Sequence, residues 1–272
     1  MPELPEVETT RRGILSRLQG RRIAAVTVRE SRLRWPVTPR LAALLDGQSL
    51  LTIDRRGKYL LFRFTGGTLL VHLGMSGSLR VLTSPAEPCR KHDHLEWCWD
   101  DGSLLRYHDP RRFGAVLWVG EEASKHPLLA GLGPEPLGAD FDGAYLFRRS
   151  RGRRSSVKQL LMDAGVVVGI GNIYANEALF RAGIDPRRAA GKIALARCLT
   201  LATSVRAVLE AALARGGTTL RDYVDGDGTP GYFGLELGVY GRAAQPCVRC
   251  GMPIRMLRHA QRSTFYCPRC QR

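Results

Sequence analysis

Residues 247–270 read CVRCGMPIRMLRHAQRSTFYCPRC, two Cys-x2-Cys knuckles (Cys247/Cys250 and Cys267/Cys270) held sixteen residues apart. This spacing brings four thiolates around one tetrahedral ion and falls in the range expected for zinc. Four thiolates leave no open coordination position. The ion is therefore expected to be structural, folding a segment too short to bury a core of its own. Two disulfides would need an oxidising compartment, whereas the start MPELPEVETT has neither the basic nor the apolar region of a secretory signal. One zinc ion is the expected cofactor, and Cys89, Cys98 and Cys198 are scattered, ordinary thiols. Between the knuckles, HAQRSTFYC is expected to form an arginine-bearing hairpin whose tip can meet phosphate.

Charge says what such a finger would serve. Lysine and arginine number 41 against 25 acidic residues, a formal charge of +16. That balance points to a polyanionic partner, nucleic acid first and anionic membrane second. Five arginines fall within RRSRGRR (148–154), and from Leu237 onward there are seven arginines and no acidic residue. Charge this one-sided suits a phosphate-binding surface better than a mixed solvated one. No run approaches eighteen apolar residues, so no membrane span is expected. A length of 272 residues leaves room for two or three domains.

The first half reads as β-structure behind one helix. Leu4, Val7, Ile14, Leu15 and Leu18 follow helical spacing, interrupted by Arg11 and stopped at Gly20. Eight short β-like runs follow: 23–28, 49–53, 58–64, 68–73, 78–82, 94–99, 103–108 and 114–119. Gly-containing turns between several of them favour antiparallel hairpins, hence a β-sandwich or barrel closed by the N-terminal helix. Residues 41–45 suggest an intervening helix. KHPLLAGLGPEPLG, near 125–140, reads as a linker. Beyond it SSVKQLLMD, NIYANEALFRAG and the stretch from Ala190 to Ala214 are helical in pattern. The glycine-rich polar segment 216–234 predicts a functional loop.

Five motifs then share one order: PELPEVET (2–9), HLGMSGSLR (72–80), HDPRRFG (108–114), GIGNIYANEALF (169–180) and the four-cysteine segment with HAQRSTFYC. Through all 272 residues the chain closely resembles the formamidopyrimidine-DNA glycosylases, bacterial base-excision enzymes for oxidised purines. The resemblance implies an α+β multidomain fold. An antiparallel β-sandwich with a flanking helix would fill 1–130. A helix–two-turn–helix domain with a lesion-capping loop would fill 131–240, and the zinc finger 241–272. It implies a monomer bound to double-stranded DNA carrying oxidised purines, in the bacterial cytoplasm at the nucleoid.

The acidic start of so basic a chain acquires a meaning from the resemblance. Read alone, proline and nearby acids are ordinary chemistry for a helix N-terminus. In the family the initiator Met is removed and Pro2 becomes an N-terminal amine. Its reference pKa near 8 leaves a useful unprotonated fraction at neutral pH. Such an amine can attack the sugar C1′ and form an iminium that acidifies C2′ and permits elimination. The resemblance makes Glu3 the general acid–base catalyst. Glu6, three residues on and on the same helical face, supports it. Lys58 in DRRGKYL matches a hairpin lysine assigned to elimination or to the phosphate beside the lesion. Arg262 matches the finger arginine that grips a flanking phosphate and is linked to δ-elimination.

A base reacting at C1′ must leave the duplex. Met75, Arg111 and Phe113 match the family's gap-filling triad: Met75 replaces the lost base, Phe113 wedges the opposite strand, and Arg111 donates to the orphaned cytosine. Lys158 and Asn172 match residues that hold phosphates around the flipped nucleotide, and His92 and Arg153 match further DNA contacts. His108, before Asp109, departs from the residue some members carry there. The nearest alternative is an endonuclease VIII-like specificity for oxidised pyrimidines, although PELPEVET differs from the usual start of that sister group. A non-catalytic damaged-DNA-binding zinc protein is the alternative from another class; loss of Pro2, Glu3 or Lys58 would mark it, and all three are present.

Overall fold

The computed structural model describes residues 2–82, 87–216, 237–259 and 261–272. They fall into two compact units. One is the chain up to Ala130; the other joins Gly131–Arg215 to the C-terminal segment from 237.

The first unit opens with α1 (Leu4–Leu18). Leu4, Val7, Ile14 and Leu18 are buried, as their spacing requires. Arg11, which broke the apolar pattern, lies between Glu8 and the carbonyl of Ile53, to which its Nη1 donates at 3.0 Å. The strands are β1 (Ile23–Val28), β2 (Leu50–Arg56), β3 (Tyr59–Phe64), β4 (Gly67–His72), β5 (Ser78–Leu82), β6 (Asp93–Trp99), β7 (Leu104–His108) and β8 (Ala115–Gly120). They form two antiparallel sheets, ordered β1-β6-β7-β5 and β2-β3-β4-β8. One apolar core joins both sheets to α1 and to α2 (Leu41–Leu45), with Trp97, Trp99, Phe62 and Tyr107 among its fully buried side chains. This is the β-sandwich with a flanking helix. The expected linker is partly ordered: a 3-10 turn at Ala123–Lys125 leads into it, α3 (Pro127–Ala130) lies within it, and Leu129 is buried.

The second unit holds α4 (Gly143–Ser150), α5 (Val157–Met162), α6 (Asn172–Arg181) and α7 (Leu195–Ala214). Asp142 caps α4 by accepting the Tyr145 amide at 2.6 Å. The long helical stretch is divided: a 3-10 turn at Ala190–Lys192 and an extended Ile193 come before α7. The zinc segment supplies the hairpin β9 (Arg255–His259) and β10 (Arg262–Tyr266). A small core of Phe180, Val239, Ile254, Cys247 and Cys267 joins it to α6. The glycine-rich loop lies outside the described residues, apart from Gly216.

Candidate active site

Pro2 is buried at the head of α1, and Glu3 and Glu6 are buried with it. The Glu6 carboxylate reaches back one turn to accept the Glu3 amide at 2.8 Å. That is the returning arm of a capping box, and it fixes the backbone between Pro2 and the helix. Glu3 at the N-cap and Glu6 in the first turn also place carboxyl groups at the positive end of the helix dipole. The sequence spacing thus places Glu3 and Glu6 together, with Glu6 holding the backbone of Glu3.

Lys58 lies in the two-residue turn Gly57–Lys58 between β2 and β3, closed by the Arg56–Tyr59 pair. Gly57 has φ +56°, a left-handed conformation that a tight hairpin demands and glycine accepts without strain. Tyr59 stands opposite His72 across β3 and β4, with ring centroids 4.8 Å apart. His72 was not singled out in the sequence, although it opens the HLGMSGSLR motif. Burial, aided by the charges of Lys58 and Arg34, pushes its imidazole down to about 4, so it is neutral near pH 7. Its Nδ1 accepts the Gly74 amide at 3.1 Å, which leaves the ring proton on Nε2. Tyr59, His72, Arg34, Trp35 and Phe113 help line a cavity of about 220 Å³.

The triad residues occupy two neighbouring loops, one between β4 and β5 and one between β7 and β8. Met75 is 40% exposed and Phe113 39%, which separates both from core packing. The Arg111 guanidinium lies over the Phe113 ring, 4.6 Å from its centroid, a cation–π contact. Arg32, Arg34, Arg111 and Arg112 border an open cavity of about 550 Å³ beside Phe113. The loops meet backbone to backbone: a Cβ on Gly74 would lie 2.5 Å from the Phe113 carbonyl carbon, so only glycine fits. His92 contributes its carbonyl to the second loop, accepting the Asp109 amide at 3.0 Å. Its ring lies between those of His94 and His108, and His108 bonds Asp93 through Nδ1 at 2.7 Å.

In the second unit, Lys158 and Asn172 converge on one strand. The Lys158 ammonium donates to the Ser263 carbonyl at 2.9 Å and to Thr264 Oγ1 at 2.8 Å. Asn172 Nδ2 donates to the same carbonyl at 3.0 Å. Asn176, another residue that sequence reasoning passed over, accepts the Phe265 amide at 2.9 Å. Lys158 is only 2% exposed. Its charge lies in the seam with β10 and anchors the strand that begins with exposed Arg262. Arg153 pairs with Asp163 at 2.8 Å. The arginine-rich runs divide likewise. Arg151 donates to the Ile193 carbonyl at 2.6 Å, and Arg242 and Arg249 bind carbonyls inside the unit. Arg154, Arg255, Arg258, Arg262 and Arg269 are exposed.

The four cysteine sulfurs lie within 4.8 Å of one another, with Cys247–Cys270 at 3.9 Å and Cys250–Cys267 at 3.5 Å. Tetrahedral zinc with Zn–S near 2.3 Å separates its sulfurs by about 3.8 Å, so the set fits one structural zinc ion. Four ligands close its coordination sphere, and its chemistry here is to hold the β9–β10 hairpin.

Three family models match in succession: the formamidopyrimidine-DNA glycosylase N-terminal domain over residues 1–116, its H2TH domain over 132–224, and a zinc finger found in FPG and IleRS over 244–272. The formamidopyrimidine-DNA glycosylase of Methylococcus capsulatus is 59% identical over 272 residues, covering all of both chains. That of Stutzerimonas stutzeri is 58% identical over the same length, again with full coverage. Among solved structures, a Lactococcus lactis FPG mutant bound to Fapy-dG containing DNA superposes with a TM-score of 0.91 at 34% identity, covering both chains fully. Wild-type Lactococcus lactis Fpg bound to DNA with an oxidised pyrimidine superposes at 0.90, also 34% identical and fully covered. No helix among the described residues is long and apolar enough to cross a membrane.

Proposed function

The chain belongs to the formamidopyrimidine-DNA glycosylase family, and from that premise we propose that it excises oxidised purines through a Schiff base on Pro2. It is a base-excision DNA glycosylase with lyase activity on abasic sites, a binder of damaged DNA. Removal of the initiator Met frees the Pro2 amine. Its lone pair forms the bond to C1′ as the bond to the damaged base breaks and the base leaves with a proton. The amine gives up its proton and the C1′–O4′ bond breaks as O4′ takes one, leaving a ring-opened iminium that acidifies the C2′ proton. Loss of that proton expels the 3′ phosphate, and a second elimination expels the 5′ phosphate. Glu3 moves protons beside the amine. Glu6 holds the Glu3 backbone, and Lys58 serves the elimination or the adjacent phosphate. His72, neutral and carrying its proton on Nε2, is a hydrogen-bond donor next to Lys58.

Met75, Arg111 and Phe113 fill the gap left by the extruded nucleotide, and Arg111 reads the orphaned cytosine. Arg262 grips phosphate with its guanidinium fork. Asn172 and Lys158 hold the strand that carries Arg262, while His92 and Arg153 line the DNA-facing surface. The loop 221–234 caps the lesion. The enzyme works as a monomer at the nucleoid in the bacterial cytoplasm.

The observation that carries this reading is the buried Pro2–Glu3–Glu6 cluster at the head of α1, acidic chemistry in a chain of charge +16. Borohydride trapping on a duplex with 8-oxoguanine opposite cytosine tests it. The expected adduct maps to Pro2 of a Met-less chain; no adduct, or one on an internal lysine, overturns the mechanism. The Lactococcus complex with an oxidised pyrimidine supports a second reading, a specificity that includes pyrimidines. A panel of oxidised purines and pyrimidines separates the two.

A further inference from the structure

Asp109, the first residue of the loop that carries Arg111 and Phe113, is fully buried. One carboxylate oxygen reaches across to the loop of Met75 and the other turns back to its own loop and to β7. Oδ1 accepts the Ser76 hydroxyl at 2.8 Å. Oδ2 accepts the Gly114 amide at 2.9 Å and the Tyr107 hydroxyl at 3.2 Å. The Ser76 oxygen in turn accepts the Arg111 amide at 3.3 Å. The backbone of Asp109 is fixed as well, since its amide donates to the His92 carbonyl and its carbonyl meets His94 Nε2 at 2.8 Å.

Ser76 adjoins Met75, and Gly114 adjoins Phe113. One carboxylate therefore sets the spacing between the residue that enters the gap and the two that face the opposite strand. Charge-assisted bonds of this kind are short and directional, and inside a protein they are stronger than between neutral groups. Tyr107 stays a neutral donor, because burial and the neighbouring Asp109 charge push its hydroxyl well above its ordinary value. Gly114 cannot be replaced without moving this network: a Cβ there would lie 1.8 Å from the Tyr107 hydroxyl.

We propose that Asp109 is the positioning residue for both gap-filling loops and, through Ser76 and Arg111, the group that sets discrimination of the base opposite the lesion. The proposal rests on the reading of Met75, Arg111 and Phe113 as the gap-filling set. Asp109 touches no reacting atom in this scheme; it acts by holding other residues in place. A group misplaced by about 1 Å can lower a rate by up to about a hundredfold, so loosening either loop reaches the chemistry without any change at Pro2.

The test compares Asp109→Asn and Ser76→Ala with the wild-type chain. Asparagine keeps the volume but presents an NH2 where either the Ser76 hydroxyl or the Gly114 amide needs an acceptor. Ser76→Ala removes only the link between the loops and spares the buried core. Excision of 8-oxoguanine is measured opposite cytosine and opposite adenine, beside cleavage of a single-stranded abasic oligonucleotide, which has no gap to fill. Both variants are expected to lower duplex excision by about tenfold or more and to bring the cytosine-to-adenine ratio toward one. Single-strand cleavage should stay near the wild-type rate. Single-strand cleavage falling in step with duplex excision would mean a general loss of structure and overturns the proposal. An Arg111→Ala chain separates the remaining outcomes. If its ratio collapses while those of Asp109→Asn and Ser76→Ala do not, the Asp109 role is wrong and the triad stands. If its ratio is unchanged, the gap-filling reading falls and takes this proposal with it.

Discussion

Arg55 joins the helix headed by Pro2 to the hairpin that carries Lys58. Its Nε donates to Glu8 Oε2 at 3.1 Å, and its Nη1 donates to the Gly57 carbonyl at 3.0 Å. Glu8 is mostly buried and also receives Arg11 and Arg12. One side chain thereby fixes α1 against the turn of β2 and β3. Replacing Arg55 with alanine leaves Glu8 its two helix-borne partners, so the expected destabilisation is about 1–3 kcal/mol rather than the full cost of a stranded buried charge. The functional effect is the sharper signature. With the Lys58 turn released, β-elimination is expected to slow by about tenfold, while borohydride trapping at Pro2 and affinity for an uncleavable abasic analogue change little. Arg55→Lys should recover stability but not elimination, because lysine lacks the planar fork that aims separate nitrogens at Glu8 and at the Gly57 carbonyl. Equal losses in trapping and elimination would refute the coupling.

A chain that keeps any residue ahead of Pro2 is expected to bind damaged duplex normally and to give no trapped adduct. The secondary amine is then an amide without a nucleophilic lone pair. Glu3→Gln separates the proton chemistry from the nucleophile: binding should persist while excision falls by about a hundredfold or more. Gel-shift affinity measured beside trapping yield checks both expectations.

Exposed and internal arginines should respond differently to substitution. Arg262 is exposed at the start of β10. Arg262→Ala is expected to weaken DNA binding and to reduce the slope of log K against log salt by about 1. Arg242→Ala instead removes donors to the Leu237, Gly238 and Pro246 carbonyls, so it should lower the melting temperature and leave the salt slope intact. Removal of zinc by a chelator is expected to unfold the β9–β10 hairpin. It should abolish specific binding with a change in circular dichroism, while the β-sandwich keeps its core.

How far the sequence discloses this molecule depends on the range of the interactions involved. The strands are legible because their apolar residues are continuous and their turns carry glycine, as in TGG where β3 turns into β4. The zinc ligands are legible because their chemistry fixes their spacing. The burial of Lys158 is not legible: its ammonium is satisfied by Ser263 and Thr264, more than a hundred residues away. Asp109 is hidden for the same reason, since in HDPRRFG nothing distinguishes it from a turn aspartate. Only the fold brings Ser76 to it from 33 positions earlier. Arg11 shows the converse: an apparent flaw in an amphipathic helix is a clamp onto β2. Local pattern discloses the elements, and long-range polar pairs decide which charged side chains turn inward.

Acid stability should fall in two separable steps. Burial pushes the His72 imidazole from 6.5 down to about 4, so between these values the unfolded chain takes up a proton that the folded chain refuses. Stability is then highest above about pH 6.5 and declines as the pH falls toward 4. For Glu8, burial raises the carboxyl, but hydrogen bonds from Arg11 and Arg12 and the charges of Arg11 and Arg55 prevail and lower it from 4.5 to about 2. Its contribution is present above about pH 4.5 and is lost as the pH falls toward 2. Urea unfolding measured from pH 7 to 2.5 is expected to show both slopes. His72→Gln should reduce only the upper slope and Glu8→Gln only the lower one, which keeps a remainder from Glu96, Asp163 and Asp185, whose carboxyls are also held below their ordinary values. A His72→Gln chain that keeps the full decline between pH 6.5 and 4 would mean that the imidazole is not held neutral beside Lys58, and His72 would then lose its place as a neutral donor in the proposed site.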